Sequence, residues 1–305
     1  NPATLSIIAA TFPARERGTA IGIWAGVSAL ALAIGPLVGG LLTESLSWHW
    51  IFFINIPVVM LCAFGAARSL APAETKTVKA GVDGVGLSLL VLWVGSLQLM
   101  LDLGREHDWF ADPLILGLAV TAAIGFAIFL VWELTERRPI VDLSVFRHKG
   151  FTFATIALSA SFAAFFASVV IIPQWLQVSM GYTATYAGYV TAMTGVAAVV
   201  MSPIAAKLST KYDPRLLVFG GVMWLAATSL LRTQWTSGSD FWALAMPQLL
   251  QGFGMPFFFI PLTTIALNAV DPDETASAAG VMSFVRTVAG AVGTTVAVSL
   301  WNGQA

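Results

Sequence analysis

Charge is scarce in this chain. Its 305 residues include only 15 Lys or Arg and 16 Asp or Glu, 10% charged, against about 25% in soluble domains. So few charges, summing to a net −1, exclude an ordinary water-facing surface and leave no basic face for nucleic acid. Cysteine is limited to Cys62, which excludes an internal disulfide. The histidines His49, His107 and His148 fall in different loops, so their spacing suggests no metal site, and no Gly-rich phosphate loop precedes a basic residue. Neither an enzyme nor a cofactor is expected.

Apolar sequence is what the chain has in abundance. It is 57% hydrophobic, arranged in runs of about 20 residues, the length that crosses a hydrocarbon core about 30 Å thick. Nine runs lie near 18–42, 50–70, 86–103, 113–134, 152–173, 184–206, 215–233, 240–269 and 276–300, and 1–12 reads as the tail of a tenth. Each is continuously apolar rather than alternating, which predicts helices and excludes barrel strands. The expected class is an all-α, multi-pass protein of the lipid bilayer. Because it starts at Asn1 without a methionine and stops just beyond an apolar run, the chain is expected to be a fragment.

Basic residues set the orientation. Arg15 and Arg17, then Arg68, Lys76 and Lys79, then Arg137, Arg138, Arg147 and Lys149, then Lys207, Lys211 and Arg215 occupy every second connection, which are therefore cytoplasmic. The intervening loops carry Arg105 and adjoin Arg232, while Trp48, Trp50, Trp109, Trp235 and Trp242 gather at their edges as an aromatic belt. One connection resists: Asp271–Ala276 is cytoplasmic by span count but holds acids and no base.

Two segments repeat without gaps. Glu16, Ala20, Gly22, Ala31 and Gly35 align with Glu274, Ala278, Gly280, Ala289 and Gly293, and both segments follow a proline turn and enter a span in the same direction. Parallel repeats of this kind arise when two homologous bundles are related by an axis along the membrane normal. The repeats lie eight spans apart where a twelve-span arrangement puts them six apart, so two spans, 86–103 and 113–134, sit between the halves.

Specific motifs extend the pattern. "ALAIGPLVGG" (31–40) followed by "WHWIFFINIP" (48–57), "PIVDLSVFR" (139–147), "GYTA" (181–184) and "QLLQG" (248–252) together resemble the fourteen-span drug:proton antiporter branch of the major facilitator superfamily. The resemblance implies a helical bundle of two homologous halves with two extra central spans. Residues 1–70 would close the N-terminal half with part of its fourth span and its fifth and sixth spans. Residues 71–138 would be the inserted pair, and 139–305 the C-terminal half without its last span. The implied function is proton-coupled efflux of drugs or other amphipathic molecules across the cytoplasmic membrane by alternating access, driven by the proton gradient with no cofactor. Its implied partners are the small-molecule substrate, protons and lipid, with a periplasmic adaptor and an outer-membrane channel. Export of one metabolite or siderophore stays open; a non-transporting scaffold or receptor is disfavoured by the repeat.

Within that frame, residues Ala31, Gly35, Pro36, Gly39 and Gly40 match the antiporter motif, although Ala31 stands where its first glycine is usual. Small residues every four positions let helix backbones approach in a solvent that gives no hydrophobic force. Pro36 removes the hydrogen bond to Leu32 and predicts a bend. This face is expected to pack on a span of the other half and close one end of the pathway.

For the pathway, Phe162, Phe165, Phe166, Gln174 and Gln177 on one span and Gln248, Gln251, Met255 and Phe258 on another are the candidates. The second span is expected to be broken at Gly252, Gly254, Pro256 and Pro261, as cavity-lining helices often are. Asp102 and Glu133 read as snorkelling residues at span ends, and Asn55 as a partner for the backbone near Pro57. Arg286 is the only base deep in a span, about 15 Å of helix beyond Ala276. Arginine there costs at least about 2.5–3.5 kcal/mol, so it should face the interior. It is the proton-coupling candidate, and by resemblance its carboxylate partner lies in the first span of the family, outside this chain.

Overall fold

The computed structural model describes residues 4, 7–8, 12–70, 83–104, 106–107, 109–137, 139–236 and 238–302. The tail at 1–12 lies almost wholly outside the described residues, as do Lys76, Lys79, Arg105 and Arg138 and the side chains of Arg17 and Pro36. The elements are α1 (Ala14–Ser45), α2 (Trp50–Phe53), α3 (Asn55–Leu70), α4 (Gly84–Leu103) and α5 (Pro113–Thr135). After these come α6 (Lys149–Val178), α7 (Ala184–Lys211), α8 (Pro214–Leu231), α9 (Phe241–Asn268) and α10 (Thr275–Asn302). No strand occurs among the described residues. Among the described residues eight helices, counting α2 and α3 as one, are long and apolar enough to cross a membrane, and α1 adds a 32-residue helix.

Local chemistry starts these helices where the sequence places them. The side chains of Asp83, Asp112, Thr183, Asp213 and Asp240 each accept a backbone N–H from the first turn of α4, α5, α7, α8 and α9, groups with no partner inside the helix. Pro113 and Pro214 follow two of these caps at the position where a missing N–H costs nothing. Between α6 and α7, Gly181 adopts φ +68°, a left-handed turn that disfavours any side chain. Asn55 Nδ2 donates to Ile51 O at 3.0 Å, one turn back along the chain.

Packing is organised around α9, which touches α6, α7 and α8, while α10 lies along α6 and α1 along α7. The core combines large groups, Phe151, Leu158, Phe165 and Phe258, with alanines such as Ala205, Ala266, Ala278 and Ala279 that bring the backbones close. Helices α4 and α5 pair with each other and reach the rest through α10 and through the connection leading into α6. Met60, Leu61 and Phe64 on α3 are exposed, an arrangement suited to lipid.

Two expectations are corrected here. Helix α9 is continuous from Phe241 to Asn268 despite Pro247, Pro256 and Pro261. At Pro247 a neighbouring group satisfies what the ring frees: Ala243 O, left without its i+4 donor, accepts the Trp235 indole N–H at 3.1 Å. The acidic connection at Asp271–Glu274 is not an exception to the charge pattern in space. Arg147 donates to Asp271 at 3.3 Å and to Glu274 at 2.7 Å, so bases from the connection between α5 and α6 neutralise it.

Candidate functional site

The seam between α1 and α7 is built from small residues. A Cβ on Gly22 would lie 2.6 Å from Ala206 Cβ, one on Gly26 3.8 Å from Ser202 Cβ, and one on Gly40 2.8 Å from Ala184 O. Contacts near 22–206 and 40–184 mean that the two helices run antiparallel in contact over most of their length. At the far end, Glu44 Oε1 accepts the Thr185 amide at 2.9 Å, a carboxylate placed on the positive terminus of α7.

The face used is not the one expected. Gly40 lies five turns of about 3.6 residues beyond Gly22 and returns to the same side, whereas Ala31, at half that distance, points the opposite way. Accordingly Ala31 and Gly35 are exposed, and a Cβ on Gly35 or Gly39 would meet nothing within 4 Å. Of the motif residues whose side chains are described, Gly40 alone makes the contact.

An aromatic column crosses the bundle beside this seam. Arg286 on α10 places its guanidinium carbon 4.8 Å from the Phe162 ring centre and 5.3 Å from that of Phe259. Phe162 stacks on Phe166 at 5.1 Å, and Phe259 stacks on Trp24 of α1 at 6.2 Å. The column therefore links α6, α10, α9 and α1. Each ring face is worth up to about 2 kcal/mol to a desolvated cation, so two of them are of the same order as the cost of inserting the arginine. Arg286 Nε is buried without a hydrogen-bond partner, and no ion pair to Arg286 occurs among the described residues.

The remaining candidates divide into separate places. Gln248 and Gln251 are buried, 3% and 1% exposed, and their side-chain oxygens both accept from Arg232 Nη2, the first at 2.7 Å. Thr194 of α7 adds a bond to Gln248 O at 3.1 Å. This polar cluster joins α7, α8 and α9. Phe165 and Phe258 belong to the packed core, with Met255 against it. Gln174 and Gln177 are exposed near the end of α6, where Gln177 bonds Pro173 O, and do not join the other amides.

Sequence reading missed Arg232, Phe259 and Trp24. Arg232 looked like a span-end charge and the aromatics like ordinary apolar residues; the only signal was an arginine within reach of two glutamines one turn apart. It also missed that His148 meets Glu274 at 2.9 Å, so that His148, Asp271 and Glu274 bring donor atoms within 4.8 Å of one another. Arg147 already supplies a positive charge to both carboxylates. The acids differ from expectation as well. Asp102 is exposed and held by Gln98, but Glu133 is 4% exposed, enclosed in protein rather than snorkelling.

Comparison with known proteins adds the last observation. The family model described as Major Facilitator Superfamily matches residues 1–294. The chain is 38% identical over 304 residues to "Multidrug export protein EmrB" of Escherichia coli (strain K12), covering 99% of this chain and 59% of that protein. It is 38% identical over 301 residues to "Fatty acid resistance protein FarB" of Neisseria gonorrhoeae, covering 99% and 59%. Against "Lincomycin resistance protein LmrB" of Listeria monocytogenes it is 27% identical over 301 residues, covering 99% and 64%. The chain thus spans less than two thirds of the length of these relatives.

Proposed function

Since this chain belongs to the major facilitator superfamily, we propose that the protein of which it is part exports drugs or other amphipathic small molecules across the inner membrane in exchange for protons, by alternating access. On this reading residues 1–70 contribute the end of one half-bundle, residues 71–138 the inserted pair with α4 and α5, and residues 139–305 the other half with α6 to α10. The names of the relatives, which speak of multidrug export and of resistance to fatty acids and lincomycin, support efflux as the activity. On the same reading a periplasmic adaptor and an outer-membrane channel complete the export route.

The observation that carries the proposal is Arg286 held between Phe162 and Phe259, with Phe259 stacked on Trp24. Movement of α1 against α7 shifts Trp24 and thereby the surroundings of a buried charge, which is how a conformational step acquires an electrostatic consequence. Arg286 is the proton-coupling residue in this reading, Phe162 and Phe166 line the substrate path, and the motif at 31–40 gates it through Gly40 at the α1–α7 seam. Gln248 and Gln251, buried on Arg232, hold α9 against the end of α8 apart from that column.

Reconstituted in liposomes, the intact transporter should release protons when drug is added. Arg286→Gln should reduce that release at least tenfold while drug binding changes little. Arg286→Lys should recover part of it, because a compact ammonium keeps the charge near the two rings but replaces the planar guanidinium. Full drug-dependent proton release with Arg286→Gln would refute the role of Arg286, and no drug-dependent release by the wild type would refute the exchange.

A further inference from the structure

At the cytoplasmic end of the α4–α5 pair two carboxyl groups meet. Glu133, in the last turn of α5, is 4% exposed. Its Oε2 accepts the Val141 amide at 3.0 Å, whereas Oε1 is buried with no hydrogen-bond partner. Asp83 has both oxygens in use: Oδ1 accepts the Val85 and Gly86 amides at 3.1 and 2.9 Å, and Oδ2 accepts the Trp132 indole N–H at 2.9 Å. The two side chains share the space over Gly86. A Cβ there would stand 2.8 Å from Glu133 Oε1 and would also run into Asp83 Oδ2, so glycine leaves that space to the carboxyls.

No positively charged group faces Glu133 among the described residues; the Val141 and Ile140 amides are what its carboxyl meets on the protein side. It sits at the negative end of α5, where a carboxylate is disfavoured. The charged groups acting on it, Asp83 from the start of α4 and Glu136 beyond the end of α5, are both acidic. On the connection into α6, Arg137 is exposed and gives its backbone amide to Glu136, and Asp142 turns to the Ser144 amide. No ion pair to Glu133 occurs among the described residues. An enclosed, unpaired carboxylate is costly, and an enclosed acceptor facing another acceptor is no better. A proton on Oε1 removes both faults at once.

We propose that Asp83 and Glu133 form a proton-binding site, in which a proton on Glu133 Oε1 is shared with the Asp83 carboxylate and fastens the start of α4 to the connection leading into α6. The ligand is the proton, because Glu133 Oε1 has almost no surface accessible to anything as large as water. Release sends the proton to water on the cytoplasmic side and leaves two carboxylates facing each other across Gly86. Their repulsion then loosens the contact that ties α4 and α5 to α6. The site lies apart from the column around Arg286 and does not depend on how that column works.

Infrared spectroscopy of the intact protein in liposomes tests this without any transport measurement. At neutral pH the wild type should show the carbonyl stretch of a protonated carboxyl, it should move on labelling glutamate carboxyls with carbon-13, and Glu133→Gln should remove it. Asp83→Asn, which keeps a capping side chain, should shift the band because an amide replaces the carboxylate that accepts the proton. The proposal is overturned if no labelled band is present in the wild type, if the band survives Glu133→Gln, or if Asp83→Asn leaves its frequency unchanged. Loss of the band on adding sodium or potassium would also overturn it, by assigning the space to a metal cation. Should Glu133→Gln fail to fold, the labelled wild type and Asp83→Asn still decide the matter.

Discussion

Arg147 Nη2 lies 2.7 Å from Glu274 Oε1, joining the connection before α6 to the turn before α10. His148 approaches the other oxygen of the same carboxylate at 2.9 Å. One acid is thus gripped by two consecutive residues from a loop more than a hundred positions away.

Because Arg147 is more than half exposed, this link should contribute little to stability. A double-mutant cycle with Arg147→Gln and Glu274→Gln is expected to give a coupling of about 0.2–1 kcal/mol, measured by denaturation in detergent. A coupling well above that range would mean that the loops are held in a drier environment than their exposure implies.

The charge alternation predicts the topology directly. A reporter fused after Lys79 or Lys149 should read cytoplasmic, and one fused after Asp108 should read external. If Lys79 and Asp108 report the same side, α4 does not cross the membrane.

The α1–α7 seam can be trapped. Cβ atoms 3.8 Å apart at Gly26 and Ser202 match the spacing of a disulfide. With Cys62→Ser as background, Gly26→Cys combined with Ser202→Cys should cross-link on oxidation, stop efflux, and recover on reduction. Gly22→Leu and Gly40→Leu should separate the helices and abolish efflux. Gly35→Leu, with open space around it, should leave the cross-link yield within about twofold of normal. A cross-link lost with Gly35→Leu would show that its face, not that of Gly22, makes the contact.

Asp83 makes a pH-dependent contribution to the α4–α5 pair. The Gly86 amide holds its carboxyl below the usual aspartate range, helped by the Trp132 indole and the Val85 amide and opposed by burial. A group lowered on folding stabilises in its charged form, fully above the unfolded value of about 3.9 and progressively less as pH falls through the folded one. Asp83→Ala should therefore lower the melting temperature near neutral pH, and the difference from wild type should shrink in acid. A difference independent of pH would leave only packing as its cause.

The spans were readable because hydrocarbon demands long apolar runs, and α1 to α10 fall where those runs lie. Which side of α1 packs was not readable. Small residues spaced by four occur on two opposite faces of it, Gly22–Gly26 and Ala31–Gly35–Gly39, and local spacing cannot choose between them. For α9 the prolines suggested a break where the helix runs on, and at Pro247 the freed carbonyl finds the Trp235 indole, a tertiary effect outside any single segment. Glu133 and Asp102 look alike in sequence, each an acid at the end of a span. Only the fold encloses one and exposes the other. Arg286 could be singled out because a lone cation in an apolar run has few places to go, but its two aromatic neighbours come from other helices.

The glycines and alanines of the α1–α7 seam have a consequence for repeated work. Side chains that lack rotamers lose no rotamer freedom when two surfaces close and regain none when they part. A seam of leucines or lysines would have to reorder its side chains at every closure, and that reordering would resist each stroke. At Gly22, Gly40, Ala184 and Ala206 the meeting surfaces are backbone and single carbons. The joint can therefore slide or tilt with its entropy nearly unchanged, behaving like a dry bearing between two rigid parts.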